Sequence, residues 1–213
     1  MYDTWVENED AFRRAVEFDK THGTNYKDAY GDALKERSLE FGMRDLPLNV
    51  EGSFDPATPD YIFLNTNHSI LGKPSAGTVN HEMGHAIDYR AGVFDETGNT
   101  KIRLFNPKKF KSRSELKEIY ENEKDLDDIF NYRLKDSEIK SHMNHFRTYL
   151  RENDMLNPSG KESLEDFKKK LFDSNFEGLK KIFNSYKNPK TFIKDFNSIP
   201  ITKAKDKGDR ELA

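Results

Sequence analysis

Residues 79 to 89 read "VNHEMGHAIDY", with two of the chain's six histidines four positions apart and a glutamate directly after the first. On a helix turning about 100° per residue, His85 falls about 40° from His81 and Asp88 about −20°, while Val79, Met83, Ala86 and Ile87 gather between about 140° and 240°. Two imidazoles therefore converge on the face opposite the apolar one. At i and i+4 their Cβ atoms stand about 5–6 Å apart, close enough for both rings to reach a tetrahedral Zn2+ at about 2.0–2.1 Å. Glu82 is rotated too far to be a third ligand, but it can reach a water held beside the ion. This is the HExxH arrangement of two metal ligands and a general base. A solvated helix face with two chance histidines is the bland alternative, and the amphipathic setting argues against it. Gly84 costs about 1 kcal/mol against alanine inside a helix, so a close approach to the backbone is expected there.

The elements that must position these residues follow from periodicity. "EDAFRRAVEFD" and "YKDAYGDALKERSLEFG" place Phe12, Val16, Phe18 and then Tyr30, Leu34, Leu39, Phe41 at helical spacing, the second helix closing at Gly42. "LPLNVEG" and "DYIFLNTN" read as strands. "GKPSAG" is a loop from which Ser75 or Thr78 caps the histidine-bearing helix. Beyond Gly92 a loop leads into helices over "SRSELKEIYENEKDLDDIFNYRL", "DSEIKSHMNHFRTYLREN", "KESLEDFKKKLF", "FEGLKKIFNSY" and "PKTFIKDF", with "NPSG" at 157–160 the clearest break. The expected class is α+β and mostly helical. A single domain, 1–213, would comprise lobes 1–92 (helices, small sheet, HExxH helix) and 93–213 (a helical lobe).

Composition excludes several alternatives. With no cysteine, disulfides, thiolate zinc sites and cysteine nucleophiles are ruled out. No run of 18 apolar residues occurs, so no membrane partner is expected. Residues 1–100 carry 9 basic and 18 acidic side chains and residues 101–213 carry 26 and 20, yet the lysines of the basic half are interleaved with acids and no base-reading motif accompanies them. Nucleic acid is therefore not an expected partner. The compartment stays open between the cytoplasm and a secreted protein whose signal has been removed, and oligomeric state is unread.

"IFLNTN…VNHEMGHAIDYRAGVF" resembles the zincin metallopeptidases of gluzincin type, most closely the group that includes the catalytic domain of anthrax lethal factor and the clostridial Pro-Pro endopeptidases. "NPKTFIKDF" is similar to the segment that closes those domains. A metzincin would place a third histidine at residue 91, which is Ala91. The resemblance implies a glutamate ligand from a downstream helix, in an ExxxE or ExxxD pattern. Glu162 with Asp166 is the expected choice, after "NPSG" and before "NPKTF". Glu165 is a near alternative, and Glu121 with Asp125 or Glu123 with Asp127 offer the same spacing in a densely charged stretch. On this choice the interval from His85 is 77 residues, and "DSEIKSHMNHFRTYLREN" is an inserted helix. Relatives also carry a tyrosine shortly before the ligand glutamate; Tyr149, Tyr132 or His145 would have to substitute. Asp88 could orient a ring nitrogen, whereas His142 and His145 read as ordinary helix positions.

The expected function is that of a zinc-dependent endopeptidase acting on a peptide or protein substrate, with His81, His85 and Glu162 as metal ligands and Glu82 as catalytic base. "DYIFLNTN" is the expected edge strand for an extended peptide. The alternative is a weakly active or inactive zinc-binding structural module, such as a mobile-element or phage protein would use.

Overall fold

A computed structural model describes residues 9–26, 28–29, 39–47, 50–68, 76–97, 100–121 and 133–199. The fold is α+β and predominantly helical, with a small sheet. It divides into two compact units, residues 1–104 and 105–213. This division lies beyond the expected lobe boundary at 92/93. The segment after Gly92 folds back on the first unit: Val93 and Phe94 are buried, Lys101 and Ile102 donate backbone N–H groups to the Val93 carbonyl, and Phe94 bridges to Thr100.

In the first unit, α1 (Glu9–His22) stops at Gly23, whose φ of +69° a side chain would resist. Asp19 ties the chain that leaves it, accepting from the Thr24 hydroxyl and the Tyr26 N–H, each at 2.7 Å. The sheet has three strands, β1 (Glu40–Arg44), β2 (Gly52–Phe54) and β3 (Tyr61–Asn65), in the order β1-β3-β2. β1 runs parallel to β3, pairing Phe41 with Ile62 and Met43 with Leu64. β2 runs antiparallel, pairing Gly52 with Leu64 and Phe54 with Ile62. Ile62, Leu64 and Ala86 of α2 (Ala76–Arg90) form the core under the sheet, with Leu39, Phe54, Val79 and Met83 packed round them.

Three local expectations change. Glu40–Arg44, expected in part as the end of a helix, is strand β1; Gly42 lies where a Cβ would come within 3.2 Å of the Phe63 ring, so the aromatic covers a bare backbone. Of "LPLNVEG", residues 48 and 49 lie outside the described residues; β2 begins at Gly52, and the buried Asn65 amide donates to the carbonyls of Leu46, Pro47 and Val50 at 3.1, 3.0 and 2.6 Å. Those three carbonyls are thereby satisfied by a side chain and not by a sheet partner. Third, β3 is the central strand, with both edges occupied, so it is not the free edge expected for peptide capture.

In the second unit, α4 (Asp136–Glu152), α5 (Leu164–Phe172), α6 (Glu177–Ser185) and α7 (Pro189–Ser198) match the helices read from the sequence, whereas α3 (Arg113–Ile119) ends at Tyr120, short of the single helix expected over 112–134, of which residues 122–132 lie outside the described residues. The core is aromatic: Phe146, Phe167, Phe192 and Phe196 are fully buried, with Phe167 4.7 Å from Phe196 and 5.4 Å from Phe146 between ring centroids. Arg147 is buried among them. Its guanidinium lies 4.6 Å from the Phe196 ring centre and donates to the carbonyls of Gly160 (2.6 Å) and Phe196 (2.9 Å), so α4 is stitched to the "NPSG" turn and to α7. Among the described residues no helix is long and apolar enough to cross a membrane.

Candidate metal centre

α2 carries the HExxH residues as the periodicity predicts. Ala86 and Ile87 are buried on the sheet side. The helix ends in a glycine stop: Gly92 has φ +78°, its N–H donates to the Tyr89 carbonyl and that of Val93 to Asp88. Ser75 lies outside the described residues; Thr78, inside the helix, donates its hydroxyl to Glu51 rather than capping. Gly84 is buried, as its cost in a helix interior led one to expect.

On the opposite face the two imidazoles stand edge to face, 4.7 Å between centroids, with their Nε2 atoms 3.1 Å apart. Two ligands at 2.0–2.1 Å from a tetrahedral ion would be separated by about 3.3–3.4 Å, so the pair is already near the spacing of one edge of a zinc tetrahedron. With Glu138, in the first turn of α4, the two histidines form a group of residues that could hold a metal ion. This donor set, two nitrogens and one oxygen without sulfur, can hold a metal ion and suits zinc.

Glu82 is 7% exposed and held by packing. A Cβ on Gly52 would come within 2.9 Å of its Cγ and 2.8 Å of Thr78 Cγ2, so β2 runs directly against the side of α2 that bears the glutamate. Gly52→Ala is therefore expected to force helix and strand apart and to cost about 1–3 kcal/mol, read as a lower urea midpoint.

Asp88 is fully buried and accepts from the Tyr26 hydroxyl at 2.6 Å. This bond ties α2 to the segment that follows α1, one turn beyond His85, giving the residue an anchoring role. Tyr26→Phe leaves a buried carboxylate short of a donor, a loss of about 2 kcal/mol. Thermal unfolding should register it as a Tm lower by roughly 4–8 °C.

The other expected residues sit elsewhere. Glu162, the expected third ligand, is not part of the histidine cluster. It is buried, and its two oxygens accept from the Asn157 N–H (2.9 Å) and the Lys170 ammonium (2.6 Å), while its backbone pairs with the Asn197 amide. It fixes the turn between α4 and α5. Glu165 is exposed, and Asp166 accepts from the capping Ser163 hydroxyl. Glu121 is exposed; Glu123, Asp125, Asp127 and Tyr132 lie outside the described residues. "DSEIKSHMNHFRTYLREN" forms α4, whose first turn carries Glu138, 53 residues after His85. Tyr149 and His145 both pack against Phe176, at 5.1 and 4.8 Å between centroids.

Glu138 escaped the sequence reading because an acid in the first turn of a helix is the ordinary companion of the helix dipole. Only the structure marks the stretch: Asp136, Ser137, Glu138, Lys140 and Ser141 are all buried, an unusual density of polar burial that the sequence does not announce.

No protein-family model, no curated protein and no solved structure matches this chain.

Proposed function

We propose that the chain is a zinc-dependent endopeptidase in which His81, His85 and Glu138 hold the ion and Glu82 is the general base. The observation that carries this reading is a His81, His85 and Glu138 group that could hold a metal ion, with the buried Glu82 between the two histidines in the HExxH pattern. Calcium and magnesium prefer shells of oxygen, and a pair of imidazoles suits zinc better. A zinc ion held there supplies Lewis acidity, lowering the pKa of a bound water toward about 7 and polarising a peptide carbonyl.

The chain's own residues do the rest. Glu82 accepts a proton from the attacking water at its carboxylate and passes it to the departing amine nitrogen. It is buried, and the absence of a side chain at Gly52 lets its Cγ lie against β2. β2 pairs only with β3 among the described residues, so its outer edge can take an extended peptide beside Glu82 in β-strand fashion. The test is hydrolysis of a peptide library by the full chain, with cleavage sites read by mass spectrometry and the Glu82→Gln protein as control. Cleavage by the parent and none by the variant is the expected result; equal cleavage by both contradicts it.

A second reading, a zinc-binding module with little activity, is favoured by one observation. Tyr149 and His145, the two described side chains considered for stabilising an oxyanion, both pack their rings against Phe176. Retained zinc with no cleavage of any library member would select it.

A further inference from the structure

β1 ends the sheet on the side away from β2, and among the described residues it pairs only with β3. The Glu40 N–H donates to the Asp60 carbonyl at 2.7 Å, and the Arg44 carbonyl accepts from the Thr66 hydroxyl at 3.4 Å, so both ends of the strand direct their backbone groups inward. With a period of two, Gly42 does the same, while Phe41 and Met43 turn their N–H and C=O groups to the outer edge. The register fixes the faces as well. Phe41 and Met43 stand beside Ile62 and Leu64, continuing the apolar layer of the core, yet they are 49% and 50% exposed. Glu40 and Arg44 share the other face with Tyr61 and Phe63, and the Arg44 guanidinium lies 5.3 Å from the centre of the Phe63 ring. A hydrogen bond to Glu40 holds the Tyr61 hydroxyl above its ordinary pKa, and a carboxylate so engaged retains acceptor positions for a guanidinium.

An exposed edge of this kind is a template for another strand. Its sequence, "EFGMR", runs acid, apolar, glycine, apolar, base, and is its own complement when reversed. A second copy laid antiparallel across a twofold axis at Gly42 places Glu40 opposite Arg44 of that copy and Phe41 opposite its Met43, on both sides of the axis. Phe41 and Met43 carry the outward backbone groups, so these pairs exchange N–H···O bonds and leave none of those groups unmet. The Glu40–Arg44 pairs then fall at the non-hydrogen-bonded positions, about 4.5 Å between Cα atoms, where side chains stand closest and opposite charges attract. On the core face each Met43 sulfur meets a Phe41 ring. At the axis the two glycines let the backbones approach with no side chain between them. Shifting the register by two residues either way sets Phe41 or Met43 against itself and parts Glu40 from Arg44.

We propose that β1 pairs with β1 of a second copy of this chain, joining the two sheets into one across a twofold axis at Gly42. Such an interface is self-complementary and closes after two copies. It uses the edge opposite to β2 and none of the residues of the metal centre, so it is independent of the peptidase reading. One short strand buries less than a standard protein interface, and the dimer should therefore form and part with concentration.

Sedimentation velocity of the full chain from about 1 to 500 µM reads the association, and a monomer–dimer equilibrium is expected. Glu40→Arg and Arg44→Glu, both at exposed positions, each set like charges across the axis and should weaken dimerisation about 10-fold or more. An equal mixture of the two variants restores opposite charges at every position across the axis and should dimerise as the parent does. Circular dichroism checks that each variant is folded. Met43→Lys, which sets a charge in the apolar pair, gives a second route to the same loss. A parent that stays monomeric at the highest concentration, or variants that each associate as the parent does, overturns the proposal. A mixture of the two folded charge variants that stays monomeric overturns it as well.

Discussion

Glu82→Gln is expected to lower the kcat for peptide hydrolysis by about 10³-fold or more while zinc content and fold stay as they are, because the residue acts on a proton and not on the ion. Glutamine is the informative substitution. Glu82 is buried and its Cγ lies against β2, so alanine would open a gap and confuse lost chemistry with lost packing. His81→Ala is expected to remove zinc and activity together, since one ligand nitrogen of the 3.1 Å pair is gone. Steady-state kinetics and metal content measured on the same preparations separate the two roles. If Glu82→Gln loses zinc as completely as His81→Ala, the division of labour between ligand and base is wrong.

The second large effect concerns the third ligand, where two glutamates make opposite predictions. Glu138→Ala should weaken zinc binding by about 100-fold or more, given that even losses of groups behind the ligands commonly cost 10–100-fold. Glu162→Ala should leave zinc affinity unchanged and lower stability by about 2–3 kcal/mol, because it strips the Asn157 N–H and the Lys170 ammonium of a buried acceptor. Competition titrations against a chromogenic chelator, paired with urea unfolding, distinguish the cases. Native zinc affinity in Glu138→Ala, or a specific loss of zinc in folded Glu162→Ala, would restore the ligand set expected from sequence.

The contrast between these glutamates shows what the sequence could carry. The HExxH helix was legible because its chemistry and its amphipathicity share one local period: His81, Glu82 and His85 are fixed relative to Ala86 and Ile87 by helix geometry alone. The helices of the second unit were legible for the same reason, with Pro189 and the capping Asn188 marking the start of α7. The third ligand depends on a long-range approach that no local pattern encodes. Glu162 matched an ExxxD spacing, but Asp166 is spent on the Ser163 cap and Glu162 on the turn before α5. The sheet was only partly legible. β1 was hidden in a helical periodicity of Leu39 and Phe41 that the neighbouring Phe63 ring and Gly42 override, and β2 was overextended because the grip of Asn65 on three carbonyls leaves no trace in hydropathy.

Two imidazoles and a carboxylate are expected to hold zinc, and elemental analysis of the full chain purified without added metal tests that most directly. One equivalent of zinc per chain, retained through desalting and lost in His81→Ala, is the predicted result. Less than about a tenth of an equivalent as purified, with no uptake when zinc is supplied to the folded protein, would contradict it.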